Sequence, residues 1–182
     1  MERFEIKSKL SFLILLATIL LVACMNHDGS THQQNDDQIK ALVHEYSVSN
    51  QSEEEAIITA KELIVTEKDG QETIYPLPEA EFFVSIAPYI NVTHPCTFHS
   101  LTGCQGEMIE QTFDVYIEDD EGEVILEEQI TTLANGFIDL WLPRDKTYQI
   151  TINDQNHSAV AEISTFDDDA TCITTMQLNK TS

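Results

Sequence analysis

Between His94 and Gly106 the chain reads HPCTFHSLTGCQG, which brings His94, Cys96, His99 and Cys104 into one short stretch. A further cysteine, Cys172, opens the segment CITTMQL near the C-terminus. Thiolate is a soft donor and imidazole a borderline one, so a site made from them suits Cu(I), Zn(II) or Cu(II) and not Mg or Ca. Zinc ribbons use Cys-x2-Cys pairs, and that spacing is absent here, which makes zinc the weaker alternative to copper. Three thiolates favour Cu(I); two thiolates with one or two imidazoles suit either metal. The candidate metal ligands are therefore Cys96, Cys104, Cys172, His94 and His99. A thiol near its ordinary pKa of about 8.5 is mostly protonated at neutral pH, so binding releases protons and weakens as the pH falls. Gly103 and Gly106 flank Cys104 and let the loop bend its sulfur back toward Cys96. Met176 shares a strand face with Cys172, but four strand residues span roughly 13 Å, so it reads as core, as does Met108.

The location of these thiols decides their chemistry. MERFEIKSKL is basic, and SFLILLATILLVAC follows as an apolar run that fits a secretory signal and is short for a membrane span. Its end, Leu21-Val22-Ala23-Cys24, resembles a bacterial lipobox. That resemblance implies cleavage before Cys24, a diacylglycerol on its sulfur, and an extracytoplasmic, membrane-anchored lipoprotein. Residues 1–23 are then signal peptide, and 24–36, polar and without periodicity, a flexible tether. With Cys24 lipidated, three cysteines remain in an oxidising compartment, and an odd number cannot all pair within one chain. The alternative to a metal site is a structural Cys96–Cys104 disulfide with Cys172 as a buried hydrophobe. The two histidines weigh against it, because a structural disulfide has no use for imidazole neighbours.

The chain carries 32 acidic residues against 9 basic ones, a formal net charge of −23. Such a potential repels phosphate backbones and attracts cations, which excludes nucleic acid as a partner. The runs EDDEGE (118–123) and DDD (167–169) lack EF-hand ligand spacing and read as solvated turns.

These residues must be positioned by the elements around them. Ile39, Leu42, Val43 and Tyr46 form one apolar helical stripe. SEEE at 52–55 reads as a capping box that starts a second helix, with Ala56, Ile57 and Ala60 on its buried face. From Leu63 the period shifts to strand, and LIVTEKDGQETIY predicts a hairpin turning at Lys68–Gln71. EFFVSIAPYI is a strand broken at Pro88; FDVYIE, EVILEEQITT, FIDLWLP, TYQITI, AVAEISTF and CITTMQL complete the strand pattern. The predicted class is α+β: a small N-terminal helical and hairpin domain (37–90) followed by a mainly antiparallel, β-sandwich-like, metal-binding domain (91–182). The strand series also weakly resembles prealbumin-type sandwiches, and a sandwich says little about activity.

HPCTFHSLTGCQGEM, FDVYIED, ANGFIDLWLPRDKTYQ and TCITTMQL together resemble the CueP family of extracytoplasmic copper-binding, copper-resistance proteins. The likeness runs from about Leu63 to the C-terminus. It implies copper bound through Cys96, Cys104 and Cys172, with His94 and His99 in the same motif. It also implies a two-domain, often dimeric, periplasmic protein that buffers copper and hands it to an accepting protein. The lipobox departs from that pattern, since a tethered protein does not diffuse. The reading is a lipid-anchored copper-sequestering protein that contributes to copper tolerance, with thiol reduction of Cu(II) as a secondary, stoichiometric step. Two other classes compete. A thiol–disulfide oxidoreductase lacks the Cys-x-x-Cys at a helix N-terminus. A surface interaction sandwich would use its cysteines only for stability. No Ser/His/Asp order, phosphate loop or HExxH motif is present, so no catalytic residue is assigned.

Overall fold

The computed structural model describes residues 27–49 and 53–181. The signal peptide, Cys24 and the Ser52 cap lie outside them. In chain order the elements are α1 (His27–Val48), β1 (Glu55–Ile58), β2 (Glu62–Thr66), β3 (Glu72–Pro76), β4 (Glu81–Ile86), β5 (His99–Ser100), β6 (Thr112–Asp119), β7 (Val124–Thr131), β8 (Ile138–Pro143), β9 (Thr147–Asn153), β10 (His157–Ser164), β11 (Cys172–Ile173) and β12 (Asn179–Lys180). Among the described residues the strands form sheets ordered β3-β2-β1-β5, β12-β10-β9-β6-β7 and β11-β4-β8. The class is α+β with a sandwich-like β-rich part, as the alternation implied.

The main core follows from the period-two pattern. Phe113, Val115 and Ile117 of β6 and Tyr148, Ile150 and Ile152 of β9 meet Phe82, Val84 and Ile86 of β4 and Ile138, Leu140 and Leu142 of β8. The other face of the β4–β8 pair offers Phe83 and Trp141 to a second core. Ile39 and Val43 of α1, Ala56 and Ile58 of β1, Leu63 and Val65 of β2 and Leu101 close that core. β4 is thus buried on both faces, which explains why EFFVSI reads as a nearly continuous apolar run. Met176 is buried in the main core and Met108 packs against it, as expected.

Three differences from the sequence reading have physical causes. The capping-box helix is not formed; its residues make β1, with Ala56 and Ile58 buried and paired to β2 and β5. A short apolar run does not separate strand from buried helix, and the edge offered by the β2–β3 hairpin decides the matter. Helix α1 starts at His27 and takes in residues expected as tether. Residues 27–38 are polar, with Gln33 donating to Asp37 one turn on at 3.2 Å. By compactness the chain divides between Gln38 and Ile39. Asp119, in a run read as a solvated turn, is buried. It accepts from Lys146 Nζ at 2.6 Å and from the Glu121 and Glu123 amides. Asp167 pairs with Lys61 at 2.7 Å, and Asp169 accepts from the Phe166 amide.

Candidate metal centre

Three chain segments meet at the candidate site, each placed by a different device. His99 enters on β5, where it pairs with Ile58 of β1. Cys104 follows through a tight turn closed by its own amide on the Ser100 carbonyl at 2.9 Å. Cys172 enters on β11, parallel to β4 and opposite Ser85. Thr171 knits the segments together. Its buried hydroxyl donates to the Ile58 carbonyl at 2.6 Å and accepts from the His99 amide at 3.0 Å. The Thr171 and Cys172 amides both donate to the Thr97 carbonyl. The loop before β5, which carries His94 and Cys96, is held by Thr93, whose hydroxyl donates to the Thr174 carbonyl at 2.6 Å.

The Cys104 loop is also fixed from below. The Gly106 amide donates to the Asn135 carbonyl at 2.7 Å. A Cβ at Gly106 would lie 2.5 Å from the Gly136 carbonyl oxygen, and Gly136 itself has φ of 81°. Backbone therefore packs directly on backbone, and only glycine allows it.

The result is a cluster of soft donors. One ligand atom from each of His94, Cys96, Cys104 and Cys172 lies within 4.8 Å of the others. Cys96 Sγ and Cys104 Sγ are 3.6 Å apart, and all three thiols are free. His99 stands outside this set of four but touches it: its Nδ1 is 3.5 Å from Cys172 Sγ. All five sequence-predicted site residues thus come to one place. Ala87 and Phe137 pack with Cys172, Cys96 and Cys104 as a small apolar cluster. The Phe137 ring lies 4.4 Å from the His99 ring and 6.4 Å from the His94 ring, edge-on to the latter.

Burial and hydrogen bonding divide the charge among the sulfurs. The hydrogen bond from Cys172, with help from His99 and His94, pulls the Cys104 thiol well below its ordinary pKa against the effect of burial. The same bond to Cys104, together with burial, pushes Cys172 up. Burial raises Cys96. The Nε2 atoms of His94 and His99 are buried without a hydrogen-bond partner. A buried polar atom left unpaired costs about 1–3 kcal/mol, and the His94 imidazole with the three sulfurs forms a group that could hold a metal ion.

Sequence reasoning did not single out Thr171 or Glu107. The Glu107 carboxylate accepts from the Ile90, Asn91 and Val92 amides at 2.7, 2.8 and 3.2 Å. It is one acidic residue among 32, with nothing in its neighbours to distinguish it.

Comparison with known proteins identifies the family of the chain. The family model described as periplasmic copper-binding protein CueP matches residues 38–177. The solved structure "Crystal Structure of S.CueP" superposes with a TM-score of 0.74 at 36% sequence identity, covering 78% of this chain and 88% of that one. Among curated proteins no significant match is found. With a match over most of its length and a close structural relative, the chain belongs to the CueP family of periplasmic copper-binding proteins.

Proposed function

We propose that this protein sequesters Cu(I) outside the cytoplasm, using Cys96, Cys104 and Cys172 as thiolate ligands with His94 beside them. The observation that carries the reading is the convergence of these four donors within 4.8 Å. Their softness selects copper over hard cations. His99 holds Cys172 in orientation through the contact between Nδ1 and Sγ. The apolar surround of Phe137 and Ala87 limits water at the sulfurs and strengthens their attraction for the ion. Lipidation at Cys24 would keep the site at a membrane surface, and the sequestered copper would leave by exchange to the ligands of an accepting protein.

The proximity of Cys96 and Cys104 favours a second, stoichiometric step. Two Cu(II) ions take one electron each from the two sulfurs; an S–S bond forms, the protons still on those sulfurs leave to solvent, and two Cu(I) result. Anaerobic addition of Cu(II) with counting of free thiols tests it, and full retention of thiols with no Cu(I) removes it.

The test of the main reading is an anaerobic Cu(I) competition against a chromogenic chelator, on the mature protein and on each Cys→Ser and His→Ala variant. Each cysteine variant is expected to lose affinity. An unchanged affinity in the Cys96→Ser, Cys104→Ser double variant would return the cysteines to a structural role. Mass spectrometry of the protein purified from membranes is expected to find an N-terminal Cys24 carrying a diacylglycerol; an unmodified Cys24, or a different N-terminus, would exclude the lipid anchor.

A further inference from the structure

The segment carrying His94 has no regular structure of its own, yet its donor atom must meet sulfurs from two other parts of the chain. Residues 87–98 cross from β4 to β5 as a loop, with an isolated bridge from Tyr89 to Gln177 near its start. Beyond that bridge the Thr93 hydroxyl on the Thr174 carbonyl ties the loop to the β11 side, and Glu107 ties it to the Cys104 loop. One carboxylate oxygen accepts from three successive amides, those of Ile90, Asn91 and Val92, and the other accepts from the Asn91 side chain at 3.1 Å. Glu107 lies three residues after Cys104 and directly after Gly106, whose backbone is pressed onto Gly136. The carboxylate thus transfers the fixed position of the Cys104 loop to the segment that leads into His94.

We infer that Glu107 is a positioning residue for copper, acting through His94 by stapling the 90–92 backbone to the Cys104 loop. This rests on the reading of His94 as a ligand. Hydrogen bonds from amides to an ionised acceptor are among the stronger ones, and three on one oxygen fix a loop where a single bond would let it pivot. Partial burial works against ionisation here, but the Asn91, Val92 and Ile90 amides outweigh it and hold the Glu107 carboxyl down at about 2. The staple is therefore charged throughout the range in which thiols bind metal. Residues that orient a metal ligand typically contribute about 10- to 100-fold in affinity.

The test is a double-mutant cycle on the mature chain, reading Cu(I) affinity by anaerobic chelator competition and metal-free melting temperature in parallel. Glu107→Ala is expected to weaken Cu(I) binding by about 10- to 100-fold. Glu107→Gln, which keeps a carbonyl acceptor for the amides, is expected to recover part of the loss and carries the test if the alanine variant does not fold. In a His94→Ala background Glu107→Ala should add no more than about a twofold change, because the two act through one ligand. Unchanged affinity in the Glu107 variants, or the same loss with and without His94, overturns the inference while leaving His94 a ligand. Unchanged affinity in His94→Ala alone overturns the reading of His94 and the inference with it.

Discussion

At the scale of single residues, the account turns on what lone donors need. His94 and His99 bury unpartnered Nε2 atoms, and Cys172 is a buried thiol only 3% exposed. Because burial and hydrogen bonding hold Cys96 and Cys172 protonated at neutral pH, Cu(I) must displace their protons. Cu(I) affinity is thus expected to rise with pH from 6 to 8, with proton release detectable in weakly buffered titrations. A flat profile would mean that these thiols do not ligate. Thr171 is the other demanding residue. Thr171→Val keeps the shape but strands the Ile58 carbonyl and the His99 amide, an expected loss of about 1–3 kcal/mol in denaturant unfolding. The donors were legible in the sequence because sulfur and imidazole are rare in this chain, with 4 cysteines and 6 histidines. Thr171 and Glu107 were not, because their partners lie far along the chain or in backbone amides that no pattern reveals.

At the scale of elements, the site is a junction of loops braced by short strands. Gly106 is the sharpest case. Gly106→Ala would drive a Cβ against the Gly136 carbonyl, and overpacking of this kind costs about 1–3 kcal/mol. The variant is expected to melt lower and to bind Cu(I) more weakly, since Cys104 and Glu107 move together. A variant with parental melting temperature and affinity would show that the two backbones can part freely. The strands of the sandwich were readable because one face of each is buried, as in β6 and β9. β1 was not. Its buried positions, Ala56 and Ile58, alternate with an exposed Glu55 and a half-buried Ile57 where β2 and β5 flank them, and an apolar run that short also fits a helix. Likewise CITTMQL yields only the two-residue β11, which pairs with Ser85 and Ile86 at the end of β4.

For the whole molecule, charge sets the response to solution conditions. A formal charge of −23 repels itself, so added NaCl is expected to raise the melting temperature of the metal-free protein. Against that background a few carboxylates are held down by specific partners: Glu107 by the 90–92 amides, Asp119 by Lys146 and Asp167 by Lys61. Their folded pKa values lie below the ordinary 4.5 and 3.8, so their stabilisation is full above those values and is lost as the pH falls toward the folded ones. Urea unfolding should show stability dropping below about pH 4.5, with a shallower drop in Glu107→Gln. The composition announced the charge, but not which few of the acidic residues carry structural loads.

The most direct test of the central claim is copper K-edge X-ray absorption on the anaerobically loaded mature protein. The account predicts Cu(I) in a sulfur-dominated coordination shell that loses sulfur in each of Cys96→Ser, Cys104→Ser and Cys172→Ser. A shell of nitrogen and oxygen alone, or one unchanged across the three variants, would contradict it.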